Sequence, residues 1–391
     1  MTGKYGAKRG GRAAKPRFMP GLKLSSEFFA DIVKPLLDGH YPGLRCSAAL
    51  IGSGSEVMGF DTEMSRDHNW GPRVMLFLTD TDYDSLREEI SLFFRNNLPP
   101  SYRGYSTGFS PPDPDDRGTQ VPAPIGEGPV NHRIETFTIP GFFLGYMGIN
   151  INGELASTDW LSLPFQKLRA VTGGGVFHDD LGLEEARNRL AWYPRDVWLY
   201  LLASAWARIG QEEHLTGRAG IVGDQIGSAI SASRLVRDIM NLAFLMEKQY
   251  PPYPKWFGSG FAGLSAASVL TPILLGVIRS RSWKSREPYL MEALSRLAEM
   301  HNSLGLTREL PQGPSQFWAR PFKVVWGEKI AETIIEAIQE PRFAAMARKT
   351  HVGSVDLFSD NTDFLSDASL RPRIKGLYSM EQAQETHGGA S

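Results

Sequence analysis

Apolar residues recur at helical spacing from Ser25 to Leu37, where Phe28, Phe29, Ile32, Val33 and Leu36 fall on one side. That pattern predicts an amphipathic helix. The apolar run Arg45–Ile51 predicts a strand, and a second strand is expected from about His68 to Thr79 around Val74–Leu78. Pro72 near its start argues for an edge or a bulge. Asp82 to Leu98 reads as a helix capped by Asp82 or Asp84. From Pro99 to Val130 the chain turns to proline, glycine, aspartate and serine, as in a lid, a binding loop or a disordered segment. Alternation returns at Asn131–Ile139, and Gly173–Phe177 predicts one more short strand.

The second half carries the helical period almost throughout. Pro194 stands at a first helical position before Asp196–Glu213, where Trp198, Leu201, Leu202, Ala205, Trp206 and Ile209 keep helical spacing. Further helices are expected over Val222–Gln249, Pro288–Asn302 and Gly327–Ala347. No internal repeat is visible. The pattern divides the chain into a basic disordered tail at 1–20, an α/β domain at 21–180, a helical domain at 181–350 and a mobile polar tail at 351–391. The expected fold class is α+β: a small mixed sheet with flanking helices, then a helical bundle.

Composition changes this picture little. The chain of 391 residues has 42% hydrophobic residues and a net charge of −1, which fits a core-forming protein without a global pull toward nucleic acid or acidic membranes. The tail is the exception, with Lys4, Lys8, Arg9, Arg12, Lys15 and Arg17 and no acidic residue. It lacks the apolar core of a secretory signal and the amphipathic stripe of a transit peptide, and a weak nucleic-acid contact is the alternative to plain disorder. The single Cys46 excludes an intramolecular disulfide and a cysteine-based zinc site, and suits a reducing cytoplasm. The most apolar stretch, Ala266–Val277, is too short to span a bilayer.

The candidate chemistry lies early. Gly52, Ser53, Gly54 and Ser55 follow the first strand, a turn that lets backbone N–H groups approach phosphate oxygens. On a strand, Asp67 and Asn69 would face the same way and offer two oxygens to one metal ion. Glu135, with Ile134 and Thr136 on the opposite face, supplies a third group, to bridge a metal or to take the proton of an attacking hydroxyl.

Gly-Ser followed some ten residues later by an Asp-x-Asp-type pair resembles the signature of the DNA polymerase beta-like nucleotidyltransferase superfamily. The strings Ile51–Asp61, Ser65–Pro72, Phe177–Gly182, Tyr193–Trp198 and Tyr253–Trp256 resemble a narrower domain family of unknown function, number 4037, over roughly residues 25–330. The resemblance implies a nucleotidyltransferase-like domain followed by a helical domain like that of kanamycin nucleotidyltransferases. It further implies that Gly54 and Ser55 hold a triphosphate, that Asp67 and position 69 bind magnesium with Glu135, and that Lys255 reaches the nucleotide phosphates. The superfamily carries a carboxylate where this chain has Asn69, which brings no negative charge to the ion.

Other residues read more plainly. His68 points away from Asp67, Asp61 and Glu63 belong to a solvated spacer, and Arg234 pairs with Asp238 one helical turn on. His178, Asp179 and Asp180 either cap a helix or bind an acceptor, and Trp192, Trp198 and Trp206 pack a core. The function expected is transfer of a nucleoside monophosphate from ATP or another triphosphate to a hydroxyl of a small acceptor, with magnesium. The alternatives are a nucleotide- or ligand-binding protein that has lost turnover, and a transferase acting on tRNA or protein. No membrane partner is expected.

Overall fold

The computed structural model describes residues 17–378 except 117 and 127, with the backbone alone at Asp67. The basic residues up to Lys15 and the last thirteen residues, for which disorder is expected, lie outside the described residues. The chain forms two compact units: one reaches Thr138 and takes back Gly174–Leu183, the other holds Ile139–Gly173 and everything from Glu184.

The first unit is built on four strands: β1 Ser47–Leu50, β2 Arg73–Phe77, β3 Arg133–Phe137 and β4 Gly175–Asp179. Their order is β3-β2-β1-β4. β1 runs antiparallel to both neighbours, with an irregularity between Ala48 and Ala49, while β2 and β3 are parallel. A parallel pair needs a crossover, and the helix α3, Asp80–Asn97, supplies it. Its cap is Thr79, whose hydroxyl accepts from the Asp82 N–H, rather than Asp82 or Asp84.

The first helical stretch is α1 Gly21–Phe28 and α2 Lys34–His40, joined by one π turn over Phe29–Val33. Leu24, Phe28, Val33 and Leu37 pack with Ile90 and Phe94 of α3 against Ala48, Val74, Leu76 and Ile134. Period two in the strands therefore sends Arg73, Met75, Arg133 and Glu135 to the opposite sheet face. Residues just before α1 are also ordered: Phe18 stacks on Trp70, and the Met19 N–H bonds the Tyr105 hydroxyl.

The second unit is helical. α4 is Ile139–Met147, α5 Ser157–Ser162, α6 Phe165–Thr172, α7 Leu183–Asn188, α8 Arg195–Glu212, α9 Leu215–Ile221 and α10 Gln225–Met246. α11 is Phe257–Phe261, α12 Ala267–Arg279, α13 Trp283–Ser303, α14 Gly327–Ile335 and α15 Pro341–Lys349. α8 is buried on nearly every side, and the Trp198 indole N–H donates to the Leu245 carbonyl at 2.8 Å. The single helix expected over 327–347 is two, because Pro341 cannot continue a helix and Glu340 caps the new start. The expected mobile tail from residue 351 is folded at least to Tyr378, whose buried hydroxyl donates to the Gly353 carbonyl at 2.8 Å. Among the described residues no helix is long and apolar enough to cross a membrane.

α8 and α14 meet backbone to backbone. A Cβ at Gly210 would lie 2.5 Å from the Glu328 nitrogen, and one at Gly327 would lie 2.5 Å from the Trp206 carbonyl oxygen. Gly210→Ala must push the helices apart, and overpacking of that kind costs about 2 kcal/mol. Urea unfolding should show the loss, whereas Gly258→Ala, where a Cβ meets nothing within 4 Å, should leave the midpoint in place.

Candidate active site

The glycine-serine turn sits on a buried ion pair. Glu56 and Arg73 are 4% and 8% exposed, and the Arg73 Nε donates to Glu56 Oε1 at 2.9 Å. Arg73 Nη2 also donates to the Ser53 carbonyl at 2.9 Å, so one guanidinium at the start of β2 fixes both the turn and its carboxylate. Gly54 has φ +154°, and a Cβ there would stand 2.5 Å from Arg73 Nη2 and 2.8 Å from Glu56 Oε2. Gly52 is left-handed as well, at φ +85°. The backbone N–H groups of Gly54 and Ser55 make no hydrogen bond to another described residue, and the Ser55 hydroxyl donates to Glu56 Oε2 at 3.4 Å.

The segment after the turn is not the strand expected from His68. Glu63–Asp67 is a 3-10 turn closed by reciprocal Thr62 and Ser65 bonds, Asn69 is left-handed at φ +49°, and β2 begins only at Arg73 after Gly71 and Pro72. Pro72 thus precedes a central strand and marks neither an edge nor a bulge. Asp67 and Asn69 consequently do not alternate on a strand. The Asp67 side chain lies outside the described residues.

Asn69 and Glu135 do converge, on an arginine. Arg133 Nη1 donates to Asn69 Oδ1 at 2.6 Å, and its Nε donates to Glu135 Oε1 at 2.9 Å. Asn69 is held in place by Gln120: its N–H donates to the Gln120 carbonyl at 2.8 Å, and its Oδ1 accepts the Gln120 N–H at 3.1 Å. Arg133 is the register partner of Arg73 across the parallel pair β2–β3, so the two side chains leave the sheet on one face. The turn and the Asn69–Arg133–Glu135 clasp therefore belong to one surface of the first unit. Period-two reading would have put Arg133 beside Glu135, whereas Glu56 carried no signal before the fold brought Arg73 to it.

Asn69 Oδ1 accepts two N–H donors and Glu135 Oε1 accepts the same guanidinium; among the described residues no group of three His, Cys, Asp or Glu is placed to hold a metal, and the Asp67 carboxyl is not among them.

The remaining sequence candidates have structural partners. Asp61 Oδ2 accepts the Gly21 N–H at 2.6 Å and the Trp70 indole at 3.1 Å, so it anchors α1 rather than lying solvated in a spacer. His68 is exposed, 3.6 Å from Asp116. Asp179 Oδ1 accepts the N–H groups of Gly182 and Leu183, each at 2.9 Å, and caps α7. The His178 ring lies 2.9 Å from Asp180 and holds that carboxyl below its ordinary range. In the second unit Arg234 pairs with Glu212 and Asp238 with Arg208, so the expected Arg234–Asp238 pair is not made. Lys255 is exposed on a 3-10 turn, Pro254–Trp256, with its ammonium 5.1 Å from the Trp256 ring centre.

Residues 160–257 match the model of the family described as a domain of unknown function, DUF4037. The strings at 177–182, 193–198 and 253–256 fall inside the matched segment, while the glycine-serine turn falls outside it. A crystal structure of a nucleotidyltransferase-like protein from Exiguobacterium sibiricum is similar over 75% of this chain and 82% of its own, at 11% identity and a TM-score of 0.27. At that TM-score the likeness adds nothing to the argument from the residues. No curated protein matches the chain.

Removing one partner of the Glu56–Arg73 pair strands a buried charge and releases the Ser53 carbonyl. Arg73→Met should cost about 3 kcal/mol, and replacing Glu56 by Leu in the same chain should recover part of that loss. Equal losses in the single and double variants, measured by chemical denaturation, would show that the pair does not hold the turn.

Proposed function

We propose that the first unit binds the phosphates of a nucleoside triphosphate on the Gly52–Ser55 turn. The reaction open to such a site is transfer of a nucleoside monophosphate to a hydroxyl of a small acceptor. The observation that carries this reading is the pair of undirected N–H groups at Gly54 and Ser55, held over the buried Arg73. Backbone donors in a turn with glycines at positive φ can form an anion-binding concavity. In the transfer, the acceptor oxygen bonds to the α-phosphorus, the bond to the bridging oxygen breaks, and pyrophosphate leaves with its electrons. Glu135, half-exposed on the same face, is the group suited to take the acceptor's proton.

A second reading, binding without turnover, is favoured by the clasp. Arg133 links Asn69 to Glu135 where the superfamily pattern calls for a divalent ion, and a guanidinium bound at 2.6 Å and 2.9 Å satisfies oxygens that a metal would need. No step above depends on a metal, and the lysine at 255 enters neither reading on the strength of its own surroundings.

Calorimetry with ATP separates the possibilities. Affinity should survive chelation of divalent ions and fall about fivefold in Ser55→Ala, the worth of one hydrogen bond. Binding that appears only with magnesium would put the ion, and not Arg133, between Asn69 and Glu135. Pyrophosphate release over an acceptor library then decides between the readings. Turnover lost in Glu135→Gln supports transfer, and wild-type release equal to that variant's supports binding alone.

A further inference from the structure

The helical unit contains a cavity of about 410 Å³ that takes no part in the site above. Its apolar lining includes Phe165, Pro252, Phe257 and Leu365. Its polar lining includes Asn241, Asp356 and the Arg237–Asp360 pair, whose Nη1–Oδ2 distance is 2.8 Å. Size and lining are those of a small-molecule site: an apolar body with a few convergent polar groups. Phe165, Arg237, Asn241, Pro252 and Phe257 all lie within the segment 160–257.

Two features of the polar lining bear on a ligand. Asn241 is 8% exposed and its amide makes no hydrogen bond to another described residue, which leaves its donors and acceptor to the cavity. Asp356 accepts the Phe165 N–H at 3.0 Å, but no ion pair reaches it. A second cavity of about 280 Å³ shares Arg237, Asp356, Ser359 and Asp360 with the first, and adds Arg208 and Arg234. Each of those arginines is already matched: Arg208 with Asp238, Arg234 with Glu212 and Arg237 with Asp360. The charge left without an ion pair on these walls is therefore the carboxyl of Asp356.

We propose that this cavity binds a small organic cation, an amine carried on an apolar or aromatic body, with its ammonium against Asp356 and its body between Phe165 and Phe257. An anion would meet Asp356 and Asp360 and would have to break an arginine pair to gain a partner. An ammonium group gains a carboxylate that has none, in a cavity that Asn241 also lines. Burial pushes the Asp356 carboxyl up to about 7, with the charges of Arg371 and Arg237 acting the other way, so an incoming cation favours its ionised form. The inference is independent of the nucleotide reading, since every residue named belongs to the second unit.

The test uses three probes of one shape and different charge: 2-phenylethylamine, 2-phenylethanol and phenylacetate, titrated calorimetrically into the full chain. The amine should bind about tenfold more tightly than the alcohol, as expected for one charge-assisted hydrogen bond, and phenylacetate more weakly still. Asp356→Asn keeps an acceptor for the Phe165 N–H and should bring the amine down to the affinity of the alcohol. Should that variant not fold, Ser359→Lys places a cation in the shared wall and should abolish amine binding while leaving the alcohol bound. Phenylacetate binding as well as the amine, an amine preference that survives Asp356→Asn, or no binding by any probe at millimolar concentration would each overturn the proposal.

Discussion

The Gly52–Ser55 turn of the first unit depends on one buried ion pair. Glu56 and Arg73 crowd Gly54 so closely that a Cβ there has no room, and Arg73 also bonds the Ser53 carbonyl. Paired charges at that depth repay their desolvation only when geometry and additional hydrogen bonds are good, which is the case here. The pair sets the path of the turn and leaves the N–H groups of Gly54 and Ser55 without an acceptor among the described residues. Glycine at position 54 is thus required twice, by its φ and by its neighbours.

The same strand pair explains why Asn69 is an amide. Parallel register sets Arg133 beside Arg73, and a guanidinium there needs acceptors. Asn69 serves it with Oδ1 and tolerates the left-handed backbone that closes the turn onto Gln120. Glu135 supplies the counter-charge.

Much of this was legible in the chain, and the rest has physical reasons for not being so. The four strands, the crossover helix and the helical second half follow from periods of 2 and 3.6, and Glu135 emerged on the sheet face that its alternation required. The reading of residues 67–69 as strand was wrong because three local devices prevailed over the apolar run that follows. These are the Thr62–Ser65 capping box, the left-handed Asn69, and Gly71 with Pro72. The partners of Asp61, Arg234 and Asp238 were illegible because each lies far off in sequence or on another helix. Asn241 and Asp356, more than a hundred residues apart, could be joined in one cavity only by the fold.

The central claim is that the 52–55 turn is an anion site. Selective glycine labelling and amide spectra of the full chain titrated with inorganic tripolyphosphate test it most directly, because they read the Gly54 N–H itself. The account predicts a saturable shift of the Gly54 resonance in the absence of any divalent ion, with Gly258 and Gly313 unmoved. A Gly54 resonance that stays in place while the protein binds tripolyphosphate elsewhere would contradict it.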